Sequence, residues 1–411
     1  MGEDLRMNLF AKTSTLFCII TLFAWPFSAR AQKIYVSDNS TTSVNPAWNV
    51  KVFENGAHKY IVADAQGITL SPRAVGFDST GGLYVMSFAG GGVGRLIKYT
   101  ESDDGTQVFA HTQQLSSYGG TGGHGTCRWA IGDVRQLDVD LNDDTVVVAD
   151  ANGIWNTSCP SPGGRSGSYG CIIRYEGADP TLLPGVELLG SHTVAIGIQG
   201  LAWLNKTGAR TGQSPVMTID QVSRDVYVGS TWGEGVTETT QALERFSKDF
   251  VQLDFWDVND PARGVPGNVT NLMLGGLAVT SDGSVWFNDV RGGVGMGGWG
   301  FMGSIVKFDS SGQFVTRRNG QTVMSGTARN NFAWTGGMDV DEHDVLYYAD
   351  SDRVLTLSSD NGDFIGFPVG DTTGQNDTNI YGEGAFALSA GSLGQIAVGP
   401  EPPVGSTFRV Y

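Results

Sequence analysis

The residues best suited to chemistry stand in glycine-rich stretches. His124 lies in YGGTGGHGTCRW with Arg128 and Trp129 behind it, and His192 lies in GSHTVAIGIQG. An imidazole exchanges a proton near neutral pH and also ligates metals, while an arginine beside it grips a carboxylate through two parallel N–H donors. Trp232 in STWGEG, Trp299 in GGVGMGGWG and Trp334 in RNNFAWTGG offer flat faces of the kind that stack on sugar rings. Arg291 and Arg329 add carboxylate clamps. The alternative for each tryptophan is packing inside a core, and His58, His111 and His343 fall elsewhere in the chain, so histidine is not confined to these stretches.

Such residues form a site only if the elements around them bring them together. The segment from Leu274 to Arg317 reads as four short strands, GLAVT, SVWFND, SIVKFD and QFVTR, separated by an Asp-Gly turn, a glycine-rich loop and a Ser-Gly turn. Apolar and polar residues alternate within each run, the period-two signal of half-buried antiparallel strands. One such meander cannot bury both its faces alone, so copies are required. First-strand runs begin at Arg73, Arg135, Gln199, Gly276, Gly337 and Gln395, and second-strand runs at Lys33, Leu83, Thr145, Asp225, Ser284 and Val345. Third-strand runs begin at Val50, Arg95, Cys171, Leu243, Ser304 and Arg353; fourth-strand runs are KYIVAD, TQVFAH, VELLG, FVQLDF, QFVTR and DFIGF. The chain opens on a second strand and ends just after a first. This count predicts an all-β, six-bladed β-propeller whose ring is closed by a C-terminal inner strand joining the N-terminal blade.

Antiparallel order puts the second-to-third and fourth-to-first connections on one face. They are long, at 116–134, 151–170, 257–274, 290–303, 319–335 and 368–394, whereas the other face has tight turns such as Ser281-Asp282-Gly283 and Ser310-Ser311-Gly312. Long loops on a rigid scaffold are where recognition and catalysis usually sit. They hold His124 with most of the arginines and tryptophans named above, and His192 stands at the equivalent connection one blade later on the same face. The exception is Asn205 to Arg224, which reads as an insertion on the tight-turn face.

The units GLAVTSDGSVWFNDVRGG and GMDVDEHDVLYYADSDRVLTLSSDNGDFI resemble NHL-type repeats and are more distantly similar to the senescence-marker/gluconolactonase superfamily of six-bladed propellers. The resemblance covers nearly all of residues 32–411 and rests on residues that build blades. It implies a divalent cation such as calcium in the central channel, held by carboxylate and Asn oxygens. Asn288, Asp289, Asn330, Asn331 and Glu383 are the oxygen donors on the long-loop face that suit such an ion. The superfamily's ligand pattern does not lie residue by residue on this chain.

Residues 1–31 carry Lys12, an apolar run from Leu16 to Phe27 and an Ala29-Arg30-Ala31 cleavage pattern, as a secretory signal does, with Met7 a second candidate start. The run is too short to span a bilayer, so a secreted or periplasmic protein is expected, one domain over 32–411, with no membrane span and monomeric. The formal net charge of −16 argues against nucleic-acid and anionic membrane partners, which need clustered Lys and Arg. With Cys18 lost in the signal, Cys127, Cys159 and Cys171 remain; Cys159 with Cys171 staples one loop, and Cys127 with Cys159 is the rival pairing. Sequons stand at Asn39, Asn156, Asn205, Asn268 and Asn376, meaningful only in a eukaryotic secretory pathway.

Three activities fit these features. The one preferred is an exported binding propeller that takes a small molecule, glycan or protein on its long-loop face. The second is a metal-assisted hydrolase of lactones or esters. The third is a lyase on uronate-containing glycans, with His124 or His192 as base and Arg128 neutralising the uronate.

Overall fold

The computed structural model describes residues 33–38, 49–54, 57–61, 72–89, 93–101, 109–115, 118–121, 128–130, 134–154, 169–175, 196–197, 215–230, 242–249, 251–266, 274–289, 304–319, 337–350, 353–369 and 393–399. Among them every regular element is a β-strand except one 3-10 turn, Pro261–Arg263. The chain is all-β.

The strands assemble into six sheets, paired antiparallel throughout. The first holds β1 (Lys33–Asp38), β2 (Asn49–Glu54) and β3 (Ala57–Ile61), and the second β4 (Pro72–Phe77), β5 (Leu83–Ala89), β6 (Val93–Glu101) and β7 (Phe109–Leu115). A hairpin of β8 (Tyr118–Thr121) and β9 (Arg128–Ala130) joins the third sheet, which contains β10 (Val134–Asp140), β11 (Thr145–Ile154), β12 (Tyr169–Tyr175) and β13 (Ile196–Gly197). The fourth runs β14 (Pro215–Ile219), β15 (Val226–Ser230), β16 (Ala242–Phe246) and β17 (Gln252–Asp257). The fifth runs β18 (Leu274–Val279), β19 (Val285–Asp289), β20 (Ser304–Phe308) and β21 (Phe314–Asn319). The sixth runs β22 (Met338–Val340), β23 (Val345–Asp350), β24 (Arg353–Ser358) and β25 (Phe364–Val369). Finally β26 (Leu393–Val398) pairs with β1, so the first sheet takes its innermost strand from the far end of the sequence.

Side-chain parity shows how the sheets cover one another. In β19, Val285 and Phe287 pack with Leu243 and Trp256 of the fourth sheet, whereas Trp286 between them packs with Leu346 and Leu355 of the sixth. In β1, Ile34 and Val36 meet Tyr347 and Val354 of the sixth sheet, whereas Tyr35 meets Val75 and Leu83 of the second. Both faces of these strands are therefore buried, which departs from the half-buried alternation read from sequence. Solvent reaches mainly the outermost strands, where Leu253, Val315 and Ile365 are exposed.

Two further readings are corrected. The inner strand of the fourth sheet is Pro215–Ile219, pairing with β15 in register Met217 to Val228; it lies inside the stretch read as an insertion. The QGLAW run at Gln199, expected to be that strand, lies outside the described residues, as does the VELLG run. The stretch 116–134, read as an open loop, contains the β8–β9 hairpin, whose Trp129 pairs with Ile154 in an extension of β11.

The turns leaving the inner strands are held by carboxylates. Asp78 Oδ1 accepts the N–H groups of Thr80 and Gly82, Asp220 Oδ1 those of Val222 and Ser223, and Asp341 Oδ1 those of His343 and Val345. In the fifth sheet Thr280 occupies that place and Asp282 accepts from Ser284 N–H instead. Three turns contain non-glycine residues at positive φ: Asp144 at 58°, Arg224 at 65° and Asp344 at 59°. Such backbone is strained and persists only where other contacts require it. Here each such side chain clamps the preceding sheet. Asp144 accepts from Ser79 N–H and Oγ, Asp344 accepts from Ser281 N–H and Oγ, and Arg224 reaches Asp140 and Asp143.

Gly312 has φ +77° in the turn after β20, and a Cβ built there would stand 2.5 Å from the buried Trp256 indole. Left-handed strain of about 1–2 kcal/mol and overpacking of about 1–3 kcal/mol add together in Gly312→Ala. Gly81 has φ +86° with nothing within 4 Å of a built Cβ, so Gly81→Ala carries only the first. Denaturant unfolding should show Gly312→Ala to be the more destabilised by at least about 1 kcal/mol; equal losses would contradict this packing.

Candidate functional site

The residues chosen from sequence separate into two groups. His124, His192, Trp232, Arg291, Trp299, Arg329, Asn330, Trp334, Glu383 and Cys159 lie outside the described residues. Arg128 and Trp129 stand on β9, and Cys171 stands on β12 with its backbone opposite Asp150 and Gly197. Asn288 and Asp289 end β19.

Asn288 has a structural role that its sequence context hid. The register between β18 and β19 shifts between Leu274 and Leu277, and buried Asn288 fills the irregularity by accepting the Gly276 N–H on Oδ1. Among the described residues no group of three or more His, Cys, Asp or Glu side chains could hold a metal ion. Asn330, Asn331 and Glu383, the other donors suited to the cation that the resemblance implies, lie outside the described residues.

A different set of groups converges at the centre. The inner strands β26, β4, β10, β14, β18 and β22 each lie against the next, and β22 lies against β26. They surround a cavity of about 290 Å³ that reaches the turns following them. Its wall is largely apolar, with Val75, Phe77, Val139, Ile219 and Val279 facing it. The polar exceptions include Gln136, Asp138, Thr218 and Asp339. Matched by position before the turn, Asp138, Thr218 and Asp339 correspond to Gly76, Ala278 and Ala397 on the other inner strands.

Both aspartates fasten one sheet to the next. Asp138 accepts from its neighbour Val139 N–H at 2.8 Å and, across to β14, from Ile219 N–H at 2.8 Å and Thr218 Oγ1 at 3.0 Å. Asp339 accepts from Val340 N–H at 2.8 Å and, across to β26, from Val398 N–H at 2.6 Å. Gln136 accepts from Met217 N–H and donates to the Leu277 carbonyl. Burial pushes the Asp138 carboxyl up to about 6 against the pull of those N–H donors. Burial, and then the charge of Asp138, push Asp339 up to about 8. Burial thus favours the protonated form of both carboxyls, more strongly at Asp339, and their mutual repulsion disfavours ionising the two together.

These two residues were missed in the sequence. The signal that would have found them is the repeated Asp-Val-Asp at 138–140 and 339–341, a carboxylate placed inside an inner strand as well as at its end.

No protein-family model matches the chain, and no curated protein sequence does. Among solved structures, one similar chain is a protein of unknown function from Bacteroides caccae, with 10% identity, TM-score 0.47, and coverage of 90% of this chain and 98% of that one. Another is the periplasmic gluconolactonase of Pseudomonas aeruginosa, with 13% identity, TM-score 0.43 and coverage of 90% and 99%. A third is a gluconolactonase of Xanthomonas campestris, with 12% identity, TM-score 0.42 and coverage of 90% and 95%.

An acid whose pKa is higher in the folded protein than its ordinary 3.8 contributes fully below 3.8 and loses that contribution as pH rises through the folded value. For Asp339 the window runs from about pH 4 to pH 8. The stability of the wild type relative to Asp339→Asn should therefore fall as pH is raised from 5 to 8, by at most about 1.4 kcal/mol per unit. A difference that stays flat across urea titrations in that range would contradict the assignment.

Proposed function

We propose that the chain is a six-bladed β-propeller of the NHL-like kind, closed by β26, exported as residues 32–411 and working as a monomer that binds a glycan or protein on its long-loop face. The closed ring is supported by the first sheet, which packs on both the sixth and the second and takes β26 as its inner strand. The observation that carries the binding face is the state of the opposite one. Asp78, Asp140, Asp220, Asp282, Asp309 and Asp341 all accept hydrogen bonds within their own turns, so on the tight-turn face these carboxylates serve to shape short turns that offer little extended surface to a glycan or protein. Recognition then falls to the long connections, with His124, Arg128 and Trp129 from one blade entry and Trp232 and Trp299 as stacking faces. A disulfide between Cys159 and Cys171 would staple one of these loops.

Binding to arrays of neutral and uronate-containing glycans, repeated with His124→Ala and Trp232→Ala, tests this reading. Loss of affinity by about tenfold or more in both variants, with unchanged thermal melts and no product formed, is the expected result. Lactone turnover abolished by chelator would replace it with metal-assisted hydrolysis, in which a cation such as calcium polarises the carbonyl. A near-ultraviolet-absorbing product from uronate glycans would replace it with a lyase using His124 or His192 as base.

A further inference from the structure

The central cavity has an electrostatic demand that its own wall does not meet. Asp138 and Asp339 stand on β10 and β22, three strands apart in the circuit β26, β4, β10, β14, β18, β22, and so face the space from opposite sides. Their hydrogen bonds come only from backbone N–H groups and the Thr218 hydroxyl; among the described residues neither meets a cationic side chain. The described wall contains no Lys or Arg; toward its mouth Asp220, Asp341, Glu342 and Asp344 add carboxylates, and exposed His343 stands among them. A buried carboxylate without a compensating charge is expensive, and it lowers that cost by holding a proton or by meeting a cation.

We propose that this cavity binds a small organic cation, an alkylammonium ion of a few heavy atoms, with its charge held by Asp138 and Asp339 and its alkyl part against Val75, Phe77, Val139 and Ile219. The volume of about 290 Å³ is at the lower end of the range for small-molecule sites, which sets the size. The apolar wall, with an aromatic ring in Phe77, favours an organic cation over a bare ion. A divalent metal would need six or more oxygens, and the carboxylate oxygens here already accept backbone N–H bonds. Anions are turned away by the same carboxylates. Exposed Leu141 and Val222 give the mouth an apolar side opposite acidic Glu342 and Asp344, so an amphiphilic cation can enter oriented. This site is separate from the long-loop face and stands whether or not that face binds a glycan.

Binding should displace a proton, because a cation beside Asp339 stabilises the ionised form of a group that is otherwise protonated at pH 7. Calorimetric titration of the purified protein with n-butylammonium chloride, in sodium phosphate and in sodium HEPES at pH 7, measures both affinity and proton release. Saturable binding, release of about half to one proton, and weakening by at least about tenfold in Asp339→Asn and Asp138→Asn are expected, with Ile365→Ala on the outer β25 unchanged. Equal binding of n-butanol, saturation by calcium in place of butylammonium, binding without proton release, or no saturation in the millimolar range would each overturn the site. The wild-type proton count stands even if an Asn variant fails to fold.

Discussion

A sheet with apolar side chains on both faces has no stable place at a surface. Val285 and Phe287 look one way along β19 and Trp286 looks the other, and all three are fully buried. Each sheet must therefore be sandwiched between two others, and a finite series of such sheets either leaves two apolar faces bare or returns on itself. The pairing of β26 with β1 and the packing of Tyr347 and Val354 against Ile34 and Val36 are the contacts on which the proposed closure rests. Stability then depends on how well each sheet is fastened to the next.

Two kinds of fastening appear, at different depths. Near the surface, turn residues clamp the preceding sheet from strained backbone positions, as Asp144, Arg224 and Asp344 do. In the interior, Asp138 and Asp339 reach from one inner strand to the N–H groups of the next. The interior pair is the costlier device, because carboxylates in an apolar cavity resist ionisation. That cost gives the cavity a chemical character that the outer clamps lack, since Asp144 and Asp344 are satisfied at the water-facing edge.

The blades were legible in sequence because their signals are local: alternating apolar residues and Asp-Gly or Ser-Gly turns mark a strand pair within a dozen positions. The fourth sheet was misread where that punctuation fails. Its turn has Arg224 at the positive-φ position, and two apolar runs, QGLAW and PVMTI, precede it, so pattern alone did not say which is the inner strand. The bond from Gly276 N–H to Asn288 was illegible because a bulge in β18 is invisible until the register is known. Asp138 and Asp339 went unnoticed, since only the contacts among the inner strands bring them to one cavity. The glycine-flanked histidines lie outside the described residues.

Closure of the ring by the C-terminal strand is the claim on which the rest depends, and removing residues 393–411 tests it most directly. Without β26, Ile34, Tyr35 and Val36 lose the strand beside them, and Asp339 loses the Val398 N–H while remaining among apolar side chains. A ring closed by β26 predicts that the shortened chain loses its cooperative unfolding transition and regains it when a peptide of residues 393–411 is added. A shortened chain that unfolds at the same denaturant midpoint as the full one, with or without the peptide, would contradict closure.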